Sequence, residues 1–354
     1  MMKFGFFLKP QDPPSASNEV TMWEENLEMA KVGEELGFTS CYTPEHHGTY
    51  DGYNPSPFVT LSAVAAVTNK IRVGTGVHLL PLYHSLHVAE DTAMLDVLSH
   101  GRLDLGVGIS NVEREFRAFG LNIKHQASLF DEGIEVLLRA WTEEKFSFYG
   151  RHYRISEWNI RPKPVQKPHP PLLVGAISEP GVRRAGRFGL PWLAADVNEM
   201  ATLKKWAQTY EEICHARGKR PEIVLMRDMW VVQDKKNLDE VEKLWWPCVA
   251  DDRWYYFSYF PGRGWGGGAH HVESWLANVK KKEDFTFERS RPLLVCGTPD
   301  EVIEDIEKYR KELKVENMLF RIRFGAGPPL KKTIECLQTF SKTVIPYYEH
   351  EIKS

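Results

Sequence analysis

Short apolar runs alternate along this chain with longer stretches whose apolar positions recur every three or four residues. Residues 3–8 form the first run. Residues 18–36 then place Val20, Trp23, Leu27 and Ala30 on one helical stripe, and Gly37 supplies a stop. The same alternation predicts strands over 39–43, 71–80, 102–107, 171–176, 192–194, 223–232 and 317–324. It predicts helices over 57–68, 85–98, 129–142, 179–187, 199–217, from 238, over 299–313 and over 331–348. Strand followed by helix at this spacing is the signature of βα units on a parallel sheet.

The rhythm breaks twice. Residues 145–171 read as a β-hairpin, FSFYGRHYRISEWNI, followed by the proline-rich RPKPVQKPHPP. Residues 250–292 are rich in aromatics and glycine. Because the pattern resumes after each break, both are insertions rather than domain boundaries. The expectation is one α/β domain over 1–354, a (β/α)8 TIM barrel with insertions after the fourth predicted helix and between the seventh and eighth predicted strands. A doubly wound open sheet is the alternative. No linker divides the chain into halves, which favours the closed barrel.

Composition narrows the function. The chain has 354 residues, 42% hydrophobic and 26% charged, with a net charge of -3 and the two signs interspersed. That gives no field for nucleic acid or an anionic membrane. No apolar stretch is long enough to span a bilayer. The first residues lack the long apolar centre of a secretory signal, so a cytoplasmic location is expected. Five cysteines, Cys41, Cys214, Cys248, Cys296 and Cys336, lie far apart with no CxxC, which argues against a zinc ribbon and for reduced thiols.

Within a barrel, the loops after the strands form the active face. TPEHHGTYDGYNPSP, residues 43–57, follows the second predicted strand directly. Glu45, His46 and His47 therefore stand on the rim of a pocket, where imidazoles can move protons near neutral pH. A solvated loop is the plain alternative. His84 and His87 lie one helical turn apart, but no HxH ends the first strand, so a metal-dependent hydrolase is disfavoured. Gly74 and Gly76, then Gly106 and Gly108, thin two neighbouring strands. They mark either a smooth wall for a planar ring or tight barrel packing. Ser178 and Gly181 open a helix after the fifth predicted strand, a place suited either to a phosphate or to an ordinary cap.

KFGFFL, ELGFTSCYTPEHH, the run from NKIRVGTGVHLLPLYHSLHVAED to HGRLDLGVG, RAFG and VCGTPDEVIEDI occur together in this order. In that combination the chain resembles the bacterial luciferase-like flavin-dependent monooxygenases. The resemblance covers nearly the whole length and is weak in the two insertions. It implies a barrel that takes reduced FMN from a separate flavin reductase and forms a flavin peroxide with oxygen. One oxygen atom then enters a small, apolar or aromatic organic substrate. His46 inherits the family's proton-handling role, with Glu45 orienting it. A non-prolyl cis bond is implied at Gly76–Val77, beneath the ring. Gly108 lies where luciferase carries a reactive cysteine, Ile109 where it carries a phosphate-facing arginine, and Ile177 where it carries a glutamate, so light emission is not expected. Ser178 matches a phosphate-binding serine, with the backbone N–H groups of Gly181 and Val182 beside it. Ser110 is offered as a second phosphate contact, and Val174 and Ala176 would lie near the ring. A homodimer packed through the second and third helices is implied. The alternatives are a deazaflavin-dependent oxidoreductase of the same fold and a non-catalytic flavin-binding protein. The second insertion, with WYYFSYFPGRGWGGGAHH, is expected to act as a lid.

Overall fold

The computed structural model describes residues 2–9, 11, 18–259 and 279–350, so the core of the expected lid, 260–278, lies outside the described residues. Eight parallel strands close a barrel. They are β1 (Lys3–Phe7), β2 (Ser40–Thr43), β3 (Arg72–Leu79), β4 (Leu103–Gly108), β7 (Leu172–Ala176), β8 (Trp192–Ala194), β9 (Ile223–Val231) and β11 (Asn317–Arg321). Each pairs with the next in that order, and β11 returns to β1 with Gly5 opposite Leu319. The hairpin predicted after the fourth helix is β5 (Phe146–Tyr149) paired antiparallel with β6 (Arg154–Trp158). Its turn is held by Glu132, whose carboxylate accepts the N–H groups of Arg151, His152 and Tyr153.

The helices lie where the periodicity places them. They include α1 (Glu19–Glu35), α2 (Pro57–Val67), α3 (Ser85–Leu98), α5 (Gln126–Thr142), α6 (Glu179–Phe188), α7 (Met200–Ala216) and α10 (Pro299–Leu313). Asn18 starts α1 by accepting the N–H of Thr21, and Pro57 occupies the first turn of α2, where its missing N–H costs nothing.

Four details differ from the sequence reading. A short helix, α4 (Glu113–Ala118), follows β4. The predicted helix from 238 is a π-helical turn, Val241–Trp245, continued by α8 (Trp246–Tyr259). The final helix divides into α11 (Leu330–Thr343) and α12 (Ile345–His350), with Pro346 at the break unable to donate a helical hydrogen bond. The stretch before α10 carries a strand, β10 (Leu294–Gly297), that pairs with Asp228–Val231 of β9 beyond the point where β11 leaves it.

The barrel interior is filled by Phe7, Tyr42, Leu173, Leu193, Val224 and Leu319, with Val77 and Met226 above them. Burying each large side chain of this kind contributes about 1.5–3 kcal/mol. The base is closed by polar groups. Tyr42 donates its hydroxyl to Asp104 at 3.0 Å, and Arg72 pairs with the same carboxylate. The glycines of β3 and β4 make room for this filling. A Cβ on Gly74 would lie 2.5 Å from the Tyr42 ring, and one on Gly76 would lie 2.5 Å from the Phe7 ring. One on Gly106 would meet the Thr75 carbonyl at 2.2 Å. Tight packing, the plainer of the two readings, thus accounts for the thinned strands. Among the described residues no helix is long and apolar enough to cross a membrane.

Candidate active site

The loop after β2 is shaped by its own polar residues. Asn54 donates to the Thr43 hydroxyl at 2.8 Å and accepts from Ser56 N–H and the Thr60 hydroxyl. Gly48 and Gly52 take positive φ values of 61° and 65°, where a side chain would be strained. Gln11 and the Tyr53 N–H both donate to Asp51. These bonds hold Glu45, His46 and His47 at the C-terminal mouth of the barrel.

Two buried carboxylates divide the histidines between them. Glu45 accepts four donors: His47 Nε2 at 2.8 Å, His78 Nδ1 at 2.6 Å, the Tyr83 hydroxyl at 2.6 Å and the Leu79 N–H at 3.1 Å. Burial alone would raise its pKa. The charge of His78 and the hydrogen bonds from His47, His78 and Tyr83 outweigh burial and hold the carboxyl at about 2. Burial, then the adjoining Glu45 charge, push the Tyr83 phenol far above its ordinary range, so it stays a donor. His46 does not touch this group. Its Nδ1 lies 3.1 Å from Glu115 on α4, which also accepts the His47 N–H at 3.0 Å and the Ser110 hydroxyl. The expected pairing of Glu45 with His46 is therefore replaced by Glu115, which the sequence reading left out along with α4. The signal available was the second of two acidic residues in EREF, five positions after Ser110, and nothing in that spacing distinguishes it from a solvated helix face. The His46 side chain keeps about 21% of its surface exposed, whereas Glu45 and Glu115 have almost none. The Tyr53 ring lies 5.0 Å from the His46 ring.

The other side of the mouth is apolar. The Gly76–Val77 peptide bond is cis, as the resemblance implied. Val77 is half-buried and lies over two glycines on neighbouring strands. A Cβ on Gly108 would lie 2.5 Å from one Val77 methyl, and a Cβ on Gly175 would lie 2.3 Å from the other. Gly108 thus seats Val77 rather than forming an open wall. Val174 and Ala176 belong to the outer layer against the helices, because alternate residues of a strand point to opposite faces. Leu173 and Gly175 are the inward-facing pair. Val182 is buried in that same outer layer, and its N–H is spent on the Ser178 carbonyl at 3.0 Å. Ser110 is buried, with its hydroxyl given to Glu115, so it does not face a phosphate. Ser178 stands at the N-cap of α6 without a side-chain capping hydrogen bond, and Gly181 lies in the first turn. Arg183 pairs with Glu179, and Arg184 with Asp131.

A buried ionic cluster occupies the mouth where β1, β8, β9 and β11 end. Lys9 bonds Asp252 at 3.0 Å. Arg321 reaches Asp228 at 2.6 Å, Asp196 at 2.9 Å and Asp252 at 3.3 Å. Arg253 bonds Asp228 at 2.5 Å. Asp252 and Arg253 both come from α8, so the cluster fixes the start of the second insertion on the barrel. On the same strands, Arg227 is spent on Tyr309 and backbone carbonyls, and Arg323, just past β11, on Glu25 and the Pro328 carbonyl. His84 caps α3, and His87 is exposed beside Glu90. Among the described residues no group of three His, Cys, Asp or Glu side chains is placed to hold a metal ion.

The family model described as luciferase-like monooxygenase matches residues 2–315. The chain belongs to the luciferase-like monooxygenase family. Solved structures similar to it include the monooxygenase RslO1 of Streptomyces bottropensis. That structure is 28% identical with a TM-score of 0.82, over 98% of this chain and 100% of that one. The oxygenating constituent of 3,6-diketocamphane monooxygenase from Pseudomonas putida, solved in complex with FMN, shares the fold. It has a TM-score of 0.79 at 18% identity, over 98% of each chain. The oxygenase component of the flavin-dependent trigonelline monooxygenase of Acinetobacter baylyi is 23% identical over 324 residues, 87% of this chain and 86% of that one. This luciferase-like chain is accordingly an oxidoreductase of the flavin-dependent monooxygenase type.

Proposed function

We propose that this luciferase-like chain is the oxygenase component of a two-component monooxygenase. It would use reduced FMN from a separate reductase to place one atom of O2 in a small apolar or aromatic substrate, releasing water and oxidised FMN. One observation carries the reading. In barrel order, the raised Val77 floor with Gly108 and Gly175 lies between His46, after β2, and Ser178, after β7. An apolar seat flanked by a partly exposed imidazole and a serine at a helix start suits a flavin ring with a phosphate tail.

FMN, when bound, supplies the electrons and the activation of oxygen. The Ser178 hydroxyl and the Gly181 N–H would bind its phosphate, helped by the positive end of α6. Val77 and Met226 would exclude water from the reacting face. His46 would take a proton from the reacting centre and return it. The ionic cluster balances Lys9, Arg253 and Arg321 against Asp196, Asp228 and Asp252, so its cations are matched by carboxylates. That balance favours an uncharged substrate over an acidic one.

The test combines cofactor and substitution. Reduced FMN, offered with O2 and labelled oxygen, is expected to give labelled product from an apolar substrate. Reduced deazaflavin is expected to give none. Ser178→Ala is expected to weaken FMN binding about tenfold, the worth of one hydrogen bond to a charged group, and to leave riboflavin binding unchanged. Equal losses for FMN and riboflavin would remove Ser178 from the phosphate site. Turnover with deazaflavin in the absence of O2 would replace the monooxygenase reading by hydride transfer.

We also propose a homodimer through α2 and α3. Val59, Ala63, Ala66 and Val67 form an exposed apolar stripe on α2, and Met94 and Leu98 extend it on α3. Val59 is 72% exposed, so a charge there leaves the lone subunit undisturbed. Val59→Lys is expected to convert a dimer into a monomer in sedimentation at micromolar concentration. A wild-type monomer would refute the interface.

A further inference from the structure

We infer that Glu115 is a positioning residue for His46, fixing the proton of its neutral imidazole on Nδ1 and leaving Nε2 as the basic nitrogen. The inference rests on the proposed proton-handling role of His46, but its geometry is independent of any cofactor. Three groups converge on Glu115. One is the His47 peptide N–H, which can only donate, 3.0 Å from Oε1. The second is the Ser110 hydroxyl on Oε2. The third is His46 Nδ1, 3.1 Å from Oε1. An ionised carboxylate offers acceptors only, so the third contact requires a proton on Nδ1.

Its ionisation is secured locally. Burial would raise the Glu115 pKa, yet hydrogen bonds from His46, the Ser110 hydroxyl and the His47 N–H bring it below its ordinary value. Among the described residues, the other polar groups near His46 have partners of their own. Glu45 is committed to His47, His78, Tyr83 and the Leu79 N–H. The Tyr53 ring is tilted against the His46 ring, with the Lys9 ammonium 5.3 Å from its centre. Arg114, beside Glu115 on α4, donates to the Gly48 carbonyl at 2.9 Å. The site thus separates two tasks. Glu45 anchors the loop by holding His47, and Glu115 sets which nitrogen of His46 is basic.

The experiment reads the tautomer directly. Imidazole nitrogens are followed by 15N NMR in flavin-free protein at about pH 8, where an ordinary histidine is neutral. The His46 signal is assigned by its loss in His46→Asn. The wild type is expected to hold the Nδ1–H form over the Nε2–H form by about tenfold or more, the equivalent of one charge-assisted hydrogen bond. In Glu115→Gln the side-chain amide can either accept or donate, so the two forms are expected within about threefold of each other. Glu115→Asp should restore the Nδ1–H form. A wild-type His46 in the Nε2–H form overturns the inference even where no variant folds. Retention of the Nδ1–H form in a folded Glu115→Gln protein overturns it as well. A fixed tautomer in a protein that turns over no flavin would sink the functional reading and leave this one standing.

Discussion

His46→Ala is expected to lower oxygenated-product turnover by about 10²-fold or more, the usual worth of a positioned acid–base group. Binding of FMN should stay within about threefold of wild type, because the proposed phosphate and ring seats lie on β3, β4, β7 and α6. The physical reason is location. The His46 side chain keeps a fifth of its surface open at the mouth, while its backbone N–H bonds Asn54 and its Nδ1 faces Glu115. Removing the ring deletes the proton carrier and leaves the loop anchored through Asn54 and Glu45. The measurement is single-turnover kinetics with reduced FMN and substrate, beside equilibrium flavin titration. Unchanged product formation would remove His46 from the chemistry. An equal loss of flavin binding would make it a binding residue instead.

Glu45→Ala is expected to act on stability first and activity second. The substitution strands His47, His78, the Tyr83 hydroxyl and the Leu79 N–H in a buried space. Removing one partner from such a network costs about 3–5 kcal/mol. For a chain of this length that corresponds to a fall in Tm of about 5 °C. Glu45→Gln should recover part of the loss, since an amide still accepts through one oxygen. The pH dependence follows from the sign of the shift. The carboxyl is held at about 2 against an ordinary value of 4.5, so its contribution is complete above pH 4.5. The contribution disappears as pH falls from there towards 2. Wild type should lose stability across that window more steeply than Glu45→Gln, as read by thermal melts at successive pH values. Parallel curves would show that Glu45 is not the titrating anchor.

Much of this architecture was legible because barrel strands and helices have different periods. The boundaries of α3 and α10 coincide with the predicted 85–98 and 299–313, where continuous apolar spacing meets a clear stop. The EHH loop was placed by its position after the second strand, whereas the Gly76–Val77 bond was reached through the resemblance, which carries residue order that periodicity cannot. What stayed hidden depends on contacts between distant segments. Val174 and Ala176 look like a lining pair in sequence, but a strand's two faces differ only by register, and the register is set by neighbours. Glu115 is one of two acidic residues on a short helix, and its partner lies 69 positions earlier. LVCG is too short to signal a strand by itself; β9, running past the end of β11, provides the edge that makes it one. Ser110 looked free because its partner, Glu115, could not be seen.

That extension of β9 has an evolutionary consequence. It gives the chain a second docking post, β10, opposite the one made by Asp252 and Arg253 of α8. Whatever sequence joins the two posts can be rewritten or resized without shifting the register of β9 against β11. The joining sequence can therefore vary as a cassette while inheritance preserves the barrel that carries it.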